Sequence, residues 1–66
     1  MRRFLRIADV MKATGFRRTF IYDRIRQHDF PAPIKIGPRA SVWDSEEVDA
    51  WMAEQIARHD AQAVTA

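Results

Sequence analysis

Apolar residues at helical spacing predict a first helix near the start of the chain. They recur at intervals of three and four positions, which places them on one face of a helix that packs against a core. This face comprises Ile7, Val10, Met11 and Thr14. Gly15 is expected to end the helix, because glycine readily adopts the left-handed backbone that a helix C-terminus often needs.

A second helix is predicted over about residues 17–27, directly after the turn at Gly15. Ile21 and Ile25 lie one helical turn apart and are expected to face the core. At about 100° per residue, the opposite side of this helix is polar, and basic and aromatic side chains occupy its two shoulders. The polar side carries Thr19, Asp23, Arg26 and Gln27, one shoulder carries Arg18 and Tyr22, and the other carries Phe20 and Arg24.

A short hairpin is predicted after the second helix, which prolines bring to an end. Ile34-Lys35-Ile36 alternates apolar and polar residues, as a half-buried strand does, and turn residues then lead to a returning strand. Lys35 and Arg39 are expected at or near the tip of this wing. An isolated hairpin is only marginally stable, so Ile34, Ile36 and Trp43 are expected to pack on the helices.

A third helix is predicted to follow the hairpin. Asp44 is a good N-cap, and Glu47 stands where it can complete a capping box. The segment after residue 58 is short, polar and rich in alanine, so residues 59–66 are predicted to form a frayed tail. The expected buried stripe of the helix consists of Val48, Trp51, Met52 and Ile56.

Together these elements predict a mainly α-helical fold with a small β-hairpin, that is, three helices and a two-stranded wing. Phe4 and Leu5 are expected to anchor the basic N-terminal segment to the core as a short extended piece. A chain of 66 residues fits one small domain, predicted over residues 1–58. Such a domain buries too little apolar surface to form a deep catalytic cleft as well, so the chain is not expected to be an enzyme.

The composition makes several kinds of site improbable. The chain has no cysteine, and His28 and His59 lie far apart with no second histidine at ligand spacing, so neither a metal site nor a cofactor is expected. No secretory signal or membrane-spanning run is visible, so the predicted location is the cytoplasm.

Charge is divided unevenly along the chain. Residues 1–39 contain ten Lys and Arg and three Asp and Glu, a net charge of +7, whereas residues 40–66 contain one and six, a net charge of −5. This division indicates a basic surface for a polyanion and an acidic surface turned away from it. Small domains also carry uneven charge by chance. The polar side of the second helix favours the first interpretation, because a major-groove helix presents its N-terminal residues to base edges and flanking basic groups to phosphates.

The order of these features resembles the AlpA family of phage and prophage regulators, within the wider group of MerR-like and excisionase-like winged helix-turn-helix domains. The resemblance extends from Phe4 to about Ile56. The matching segments are Phe4-Leu5-Arg6-Ile7 with Val10-Met11, Thr14-Gly15-Phe16 leading into Ile21-Tyr22, Phe30-Pro31-Ala32-Pro33, Ile36-Gly37-Pro38-Arg39-Ala40, and Trp43 followed by Val48-Asp49-Ala50-Trp51.

The resemblance implies a DNA-binding regulator whose second helix enters the major groove. By position, the family's DNA contacts correspond to Arg17, Arg18, Thr19 and Tyr22, with the wing tip at Gly37, Pro38 and Arg39. On this reading, base edges would be contacted by Thr19, Asp23 and Arg26, phosphates by Arg17, Arg18, Tyr22 and Arg24, and the neighbouring groove or backbone by Lys35 and Arg39.

Two positions depart from the family pattern, which commonly has serine at the position of Arg17 and threonine at that of Phe20. Without the serine, the second helix lacks an N-cap side chain, and Arg17 adds a charge that its dipole disfavours. A bound phosphate would offset that repulsion. Phe20 is expected either to pack inward or to contact a thymine methyl group.

The sequence leaves three candidate functions open. The protein could regulate transcription at an operator, or it could act as an excisionase that bends attachment-site DNA and assists an integrase. A homodimer or a head-to-tail array on DNA is expected in either case. The third possibility is a protein-interaction module, such as an antirepressor, that uses the same fold without DNA.

Overall fold

The computed structural model describes residues 1–65, with side chains described as far as residue 61. It confirms the predicted fold class, three helices and a small antiparallel sheet, which is compatible with a winged helix-turn-helix. In chain order the elements are β1 (Phe4–Leu5), α1 (Ile7–Thr14), α2 (Arg18–Arg26), β2 (Ile34–Gly37), β3 (Ala40–Asp44) and α3 (Ser45–Thr65).

Left-handed residues end both of the first two helices. Gly15 has φ 77° and donates its N–H to the carbonyl of Met11 at 2.8 Å, as the sequence predicted. His28 has φ 59° at the end of α2, and the Asp29 N–H then reaches the Arg24 carbonyl at 2.8 Å. These two left-handed residues set the directions in which the chain leaves α1 and α2.

The sheet has three strands, in the order β1-β3-β2, and both pairings are antiparallel. The predicted hairpin forms from β2 and β3, and β1 adds a strand on the other side of β3. Leu5 lies opposite Trp43 in the first pairing, while Lys35 lies opposite Ser41 in the second. The short extended piece expected around Leu5 is therefore a strand that joins the N-terminal segment to the centre of the sheet.

The core is small and centres on Trp43, which is almost completely buried. Two indole groups attach the loop between α2 and β2 to the core. Trp43 Nε1 donates to the Pro31 carbonyl at 3.0 Å, and Trp51 Nε1 donates to the Asp29 carbonyl at 2.6 Å. These bonds satisfy buried polar groups of the loop and of both indoles. The core cluster consists of Leu5, Val10, Ile21, Phe30, Trp43 and Val48, against which Ile7, Met11, Ile25, Trp51 and Met52 pack.

Three isoleucine predictions are wrong. Ile34 and Ile36 do not pack on the helices, and both are exposed on β2. Ile34 lies opposite Val42, the neighbour of the core residue Trp43, and side chains alternate along a strand, so Ile34 points away from the helices. Ile56 is exposed as well, because α3 extends beyond the part of the core that its earlier residues cover.

The start of α3 agrees with the sequence at Asp44, whereas among the described residues Glu47 makes no hydrogen bond that would complete the predicted capping box. The Asp44 carboxylate accepts the Glu46 N–H at 2.9 Å, which satisfies one of the free amides at the helix start. The helix continues through the predicted tail as far as Thr65. The domain boundary at residue 58 and the fraying of residues 59–66 remain predictions, and residue 66 lies outside the described residues.

The two left-handed positions should respond to substitution with opposite signs. Gly15→Ala should destabilise the fold by about 1 kcal/mol, because an L side chain disfavours this backbone. The space around Gly15 is open, with nothing within 4 Å of an added Cβ, so the backbone is the cause. His28→Gly should stabilise by about 0.5 kcal/mol, the relief of strain exceeding the entropy lost by glycine. Urea denaturation of both variants measures these changes, and a shift of the same sign in both would contradict the assignment.

Candidate nucleic-acid interface

The position of α2 is fixed from its buried side. Ile21 is fully buried and Ile25 packs against the core, so the opposite side of the helix faces outward. Thr19 and Arg26 are exposed there, and Asp23 is half-buried between them. The sequence therefore placed the polar side of α2 correctly.

The start of α2 has no side-chain cap. Arg17 stands at the N-cap with an extended backbone, and its side chain makes no cap hydrogen bond. The first amide groups of a helix have no partner within the helix, so those of α2 are available to an acceptor from outside. Arg17 and Arg18 are both exposed beside them. Free amides, two guanidinium groups and the positive end of the helix dipole together favour an anion at this point.

An ion pair lies in the middle of the outward side. The Arg26 guanidinium bonds the Asp23 carboxylate one turn back along α2. This pairing was missed from the sequence, although the i,i+3 spacing of an acid and a base is a recognisable signal for it. The arginine neutralises a carboxylate that would otherwise repel a phosphate backbone.

Phe20 and Arg24 lie on the shoulder of α2 that faces α3. The Phe20 ring stacks on Phe16 with centroids 4.1 Å apart, and the Arg24 guanidinium lies 4.8 Å from the Phe20 centroid. Arg24 also bonds the Asp29 carboxylate at 3.3 Å. Phe20 is therefore half-buried in an aromatic cluster, and Arg24 already has two partners within the protein.

Tyr22 lies on the other shoulder and connects α2 with the sheet. Its ring meets the ring of Trp43 edge-on, with centroids 6.2 Å apart, while part of the side chain remains exposed. Trp43 belongs to β3, so this contact fixes α2 relative to the β2–β3 hairpin.

The hairpin carries two of the predicted cations, Lys35 and Arg39. Arg39 is exposed in the two-residue turn between β2 and β3. Lys35 lies opposite Ser41, which is two residues from Trp43, so Lys35 projects from the helix-facing side of the sheet. Among the described side chains, no ion pair occupies the four exposed cations of this surface, which are Arg17, Arg18, Lys35 and Arg39.

Two other kinds of site were sought in the described part of the chain. Across residues 1–65 no group of three or more His, Asp or Glu side chains is arranged to hold a metal ion. The same residues include no helix that is both long and apolar enough to span a membrane.

Comparison with known proteins identifies relatives of phage origin. The sequence profile of the family described as "Prophage CP4-57 regulatory protein (AlpA)" matches residues 3–56. The chain is 44% identical over 55 residues to the uncharacterized protein ORF88 of Enterobacteria phage P4, a match that covers 83% of this chain and 62% of that protein. The chain thus spans less than two thirds of this relative. No solved structure matches it significantly.

Arg24 has two partners within the protein and Arg18 forms no ion pair among the described side chains, so the two residues should contribute differently to the stability of the fold. Arg24→Ala should destabilise the fold by about 1 kcal/mol, since it removes a partly exposed ion pair and a cation–π contact. Arg18→Ala should change stability by less than about 0.5 kcal/mol, because its side chain is exposed. Thermal unfolding followed by circular dichroism measures both, and equal effects would contradict the structural role of Arg24.

Proposed function

Because the chain belongs to the AlpA family of prophage regulatory proteins, we propose that it is a sequence-specific double-stranded-DNA-binding regulator of a phage or mobile element. The proposal is carried by one observation. A helix that is buried along one side at Ile21 presents its polar side outward, and cations that form no ion pair with any described side chain stand at its start and on the neighbouring wing. This surface suits a polyanion better than a small substrate, so no catalytic activity is proposed.

In this proposal α2 enters the major groove. Thr19, Asp23 and Arg26 contact base edges, because they occupy the outward side of the helix. The Asp23–Arg26 pair opens as DNA binds, so that the guanidinium can donate to a guanine and the carboxylate can accept from a cytosine amino group.

Phosphates are bound on either side of the bases. Arg17 and Arg18 hold one phosphate at the start of α2, where the free amides add their own donors. Tyr22 contacts the backbone from the shoulder next to the wing. Arg24 stays in this set as a proposed phosphate contact, which requires its guanidinium to leave Asp29 or to bind both.

The wing completes the surface. Arg39 at its tip and Lys35 on its helix-facing side reach the neighbouring groove or backbone. The Tyr22–Trp43 contact supports this arrangement, since it couples the orientation of the wing to that of α2. The site of action is the cytoplasm, at the nucleoid when DNA is bound, and no membrane takes part.

The second candidate is an excisionase that bends attachment-site DNA for an integrase. The division into a +7 part and a −5 part favours it, because unlike surfaces let copies associate on adjacent sites as a homodimer or an array. Cooperative footprints over several sites and excision in vitro with an integrase would support this function. A single isolated footprint over a promoter would support transcriptional regulation instead.

A protein-interaction module, such as an antirepressor, is the remaining candidate. A gel shift with random duplex DNA at low salt separates it from both others. The DNA-binding functions require weak binding under these conditions, because phosphate contacts act on any sequence. No binding of any duplex would overturn the proposed function.

Substitutions on the wing and on α2 should have different consequences. Arg39→Ala should weaken binding to all sequences alike and should reduce the slope of log affinity against log salt by about one unit, because one phosphate contact is lost. Arg26→Lys keeps the charge but loses the planar guanidinium that recognises guanine. It should therefore preserve the salt slope and change the sequence preference, by a factor that corresponds to about 1–3 kcal/mol at one base pair.

Fluorescence anisotropy with a selected duplex and a scrambled one, at several salt concentrations, measures both effects. Arg39→Lys is the matched control and should retain the wild-type slope. If Arg39→Ala and Arg26→Lys gave the same pattern of slope and preference, the assigned roles would be wrong.

A further inference from the structure

Arg24 belongs to a row of flat side chains along one shoulder of α2. Phe20 and Arg24 lie one helical turn apart, and Phe16 precedes them by the same interval of four residues. The rings of Phe16 and Phe20 stack with centroids 4.1 Å apart, and the Arg24 guanidinium lies 4.8 Å from the centroid of the Phe20 ring. A planar guanidinium stacks well on an aromatic ring. Phe20 therefore supports one face of the Arg24 guanidinium.

Asp29 holds one nitrogen of the same group. Its carboxylate accepts from Arg24 Nη1 at 3.3 Å. Asp29 is fixed in turn by its backbone, since its N–H donates to the Arg24 carbonyl at 2.8 Å and its carbonyl accepts from Trp51 Nε1 at 2.6 Å. The carboxylate therefore projects from an anchored segment of the chain, and it sets the orientation of the guanidinium on the Phe20 ring.

The rest of the Arg24 guanidinium remains available for a ligand. Arginine carries five N–H donors in a planar fork, and a carboxylate at one nitrogen uses only part of them. The Arg24 side chain is 39% exposed, so an incoming group can reach it. A mobile arginine side chain loses rotamer freedom when a ligand immobilises it, and this loss weakens binding. Arg24 has lost part of that freedom on folding, because Phe20 and Asp29 already hold it.

From this geometry we propose that Asp29 and Phe20 are positioning residues for DNA binding, which hold Arg24 in the orientation in which its free donors bind a backbone phosphate. This role rests on the proposed function, because it requires α2 to lie against duplex DNA. The guanidinium binds the phosphate and Asp29 together and does not leave Asp29. The acceptor oxygen of Asp29 thus favours DNA binding through the arginine that it orients, although the charge of Asp29 repels a phosphate backbone.

Two substitutions of Asp29 separate its orienting role from its charge. Asp29→Asn removes the charge but keeps a side-chain oxygen that can accept from Arg24, whereas Asp29→Ala removes both. Asp29→Asn should bind a random-sequence duplex at least as tightly as the wild type, and Asp29→Ala should bind it about three- to tenfold more weakly than Asp29→Asn. Fluorescence anisotropy at several salt concentrations measures these affinities. If Asp29→Ala bound as tightly as Asp29→Asn, or more tightly, Asp29 would only compete with DNA for Arg24, and the proposal would be overturned.

The difference between these two variants should depend on Arg24. Arg24→Gln alone should reduce the slope of log affinity against log salt by about one unit, because one phosphate contact is lost. In the Arg24→Gln background, Asp29→Asn and Asp29→Ala should bind equally, since no guanidinium remains to be oriented. A difference that persisted there would come from the fold and would overturn the proposal, as would an unchanged salt slope for Arg24→Gln alone.

Asp49 supplies the matched control. It is exposed and lies two positions before Trp51, whose indole bonds Asp29. At about 100° per residue, Asp49 therefore points to nearly the opposite side of α3 from that indole. Asp49→Asn and Asp49→Ala make the same changes of charge and size at this position, and they should bind the duplex equally well. A difference as large as that between the Asp29 variants would show that the substitutions do not act through Arg24.

The aromatic support of Arg24 is tested at Phe20. Phe20→Leu keeps the apolar bulk without an aromatic face and should weaken duplex binding by about two- to fivefold, whereas Phe20→Tyr keeps the face and should bind as the wild type does. Equal affinities of these two variants would overturn the role of Phe20. Circular dichroism checks that each variant folds, and the Asp29 variants carry the test if Phe20→Leu does not.

The order of Arg24 can also be measured without DNA. Nitrogen-15 relaxation of the Nε–H groups in the free protein should give a higher order parameter for Arg24 than for Arg18, whose side chain is exposed. A value for Arg24 below about 0.6, which is typical of a flexible group, would overturn the proposal. Failure of the wild type to bind any duplex would overturn the proposed function. Duplex binding by the wild type that did not respond to substitution of Arg24 or Asp29 would overturn only the positioning roles.

Discussion

The structure depends on the burial of Trp43 and on the two indole hydrogen bonds that hold the loop between α2 and β2. A domain of this size has few buried residues, and each element reaches the others through this centre. Leu5 lies opposite Trp43 in the sheet, and the ring of Tyr22 contacts the Trp43 ring edge-on. The Trp43 indole N–H donates to the carbonyl of Pro31. The relative placement of the first two helices and the β2–β3 hairpin is therefore a consequence of one packed side chain and the groups that satisfy its hydrogen bonds.

The small core also explains why so much of the surface is specialised. One side of α2 is used for packing, so its other side is free to carry polar and charged groups without cost to the fold. Within the described part of the chain, basic side chains near the start of α2 and on the wing take part in no ion pair, whereas Arg24 and Arg26 do. The free cations lie where a polyanion can approach, and the paired ones contribute to order within the protein.

The sheet separates two surfaces in the same way. Its helix-facing side carries Lys35 and adjoins α2, while its other side carries Phe4 and Ile34, which are exposed, beside the buried Val42. Alternation of side chains along a strand is enough to produce this division.

The sequence alone determined the elements and their internal orientation. Local rules decide these features: helical spacing placed Ile21 inward and Thr19 outward, glycine chemistry placed the turn at Gly15, and the Asp44 cap placed the start of α3. The sequence also indicated the family, because that resemblance rests on short motifs in a fixed order.

Only the tertiary structure decided which apolar residues are covered. Ile34, Ile36 and Ile56 have the same local signal as buried residues, but their exposure follows from strand order and from the length of α3 relative to the core. The partners of Phe20 and Arg24 were likewise beyond a local reading, since Phe16 and Asp29 reach them only once the two turns have fixed the path of the chain.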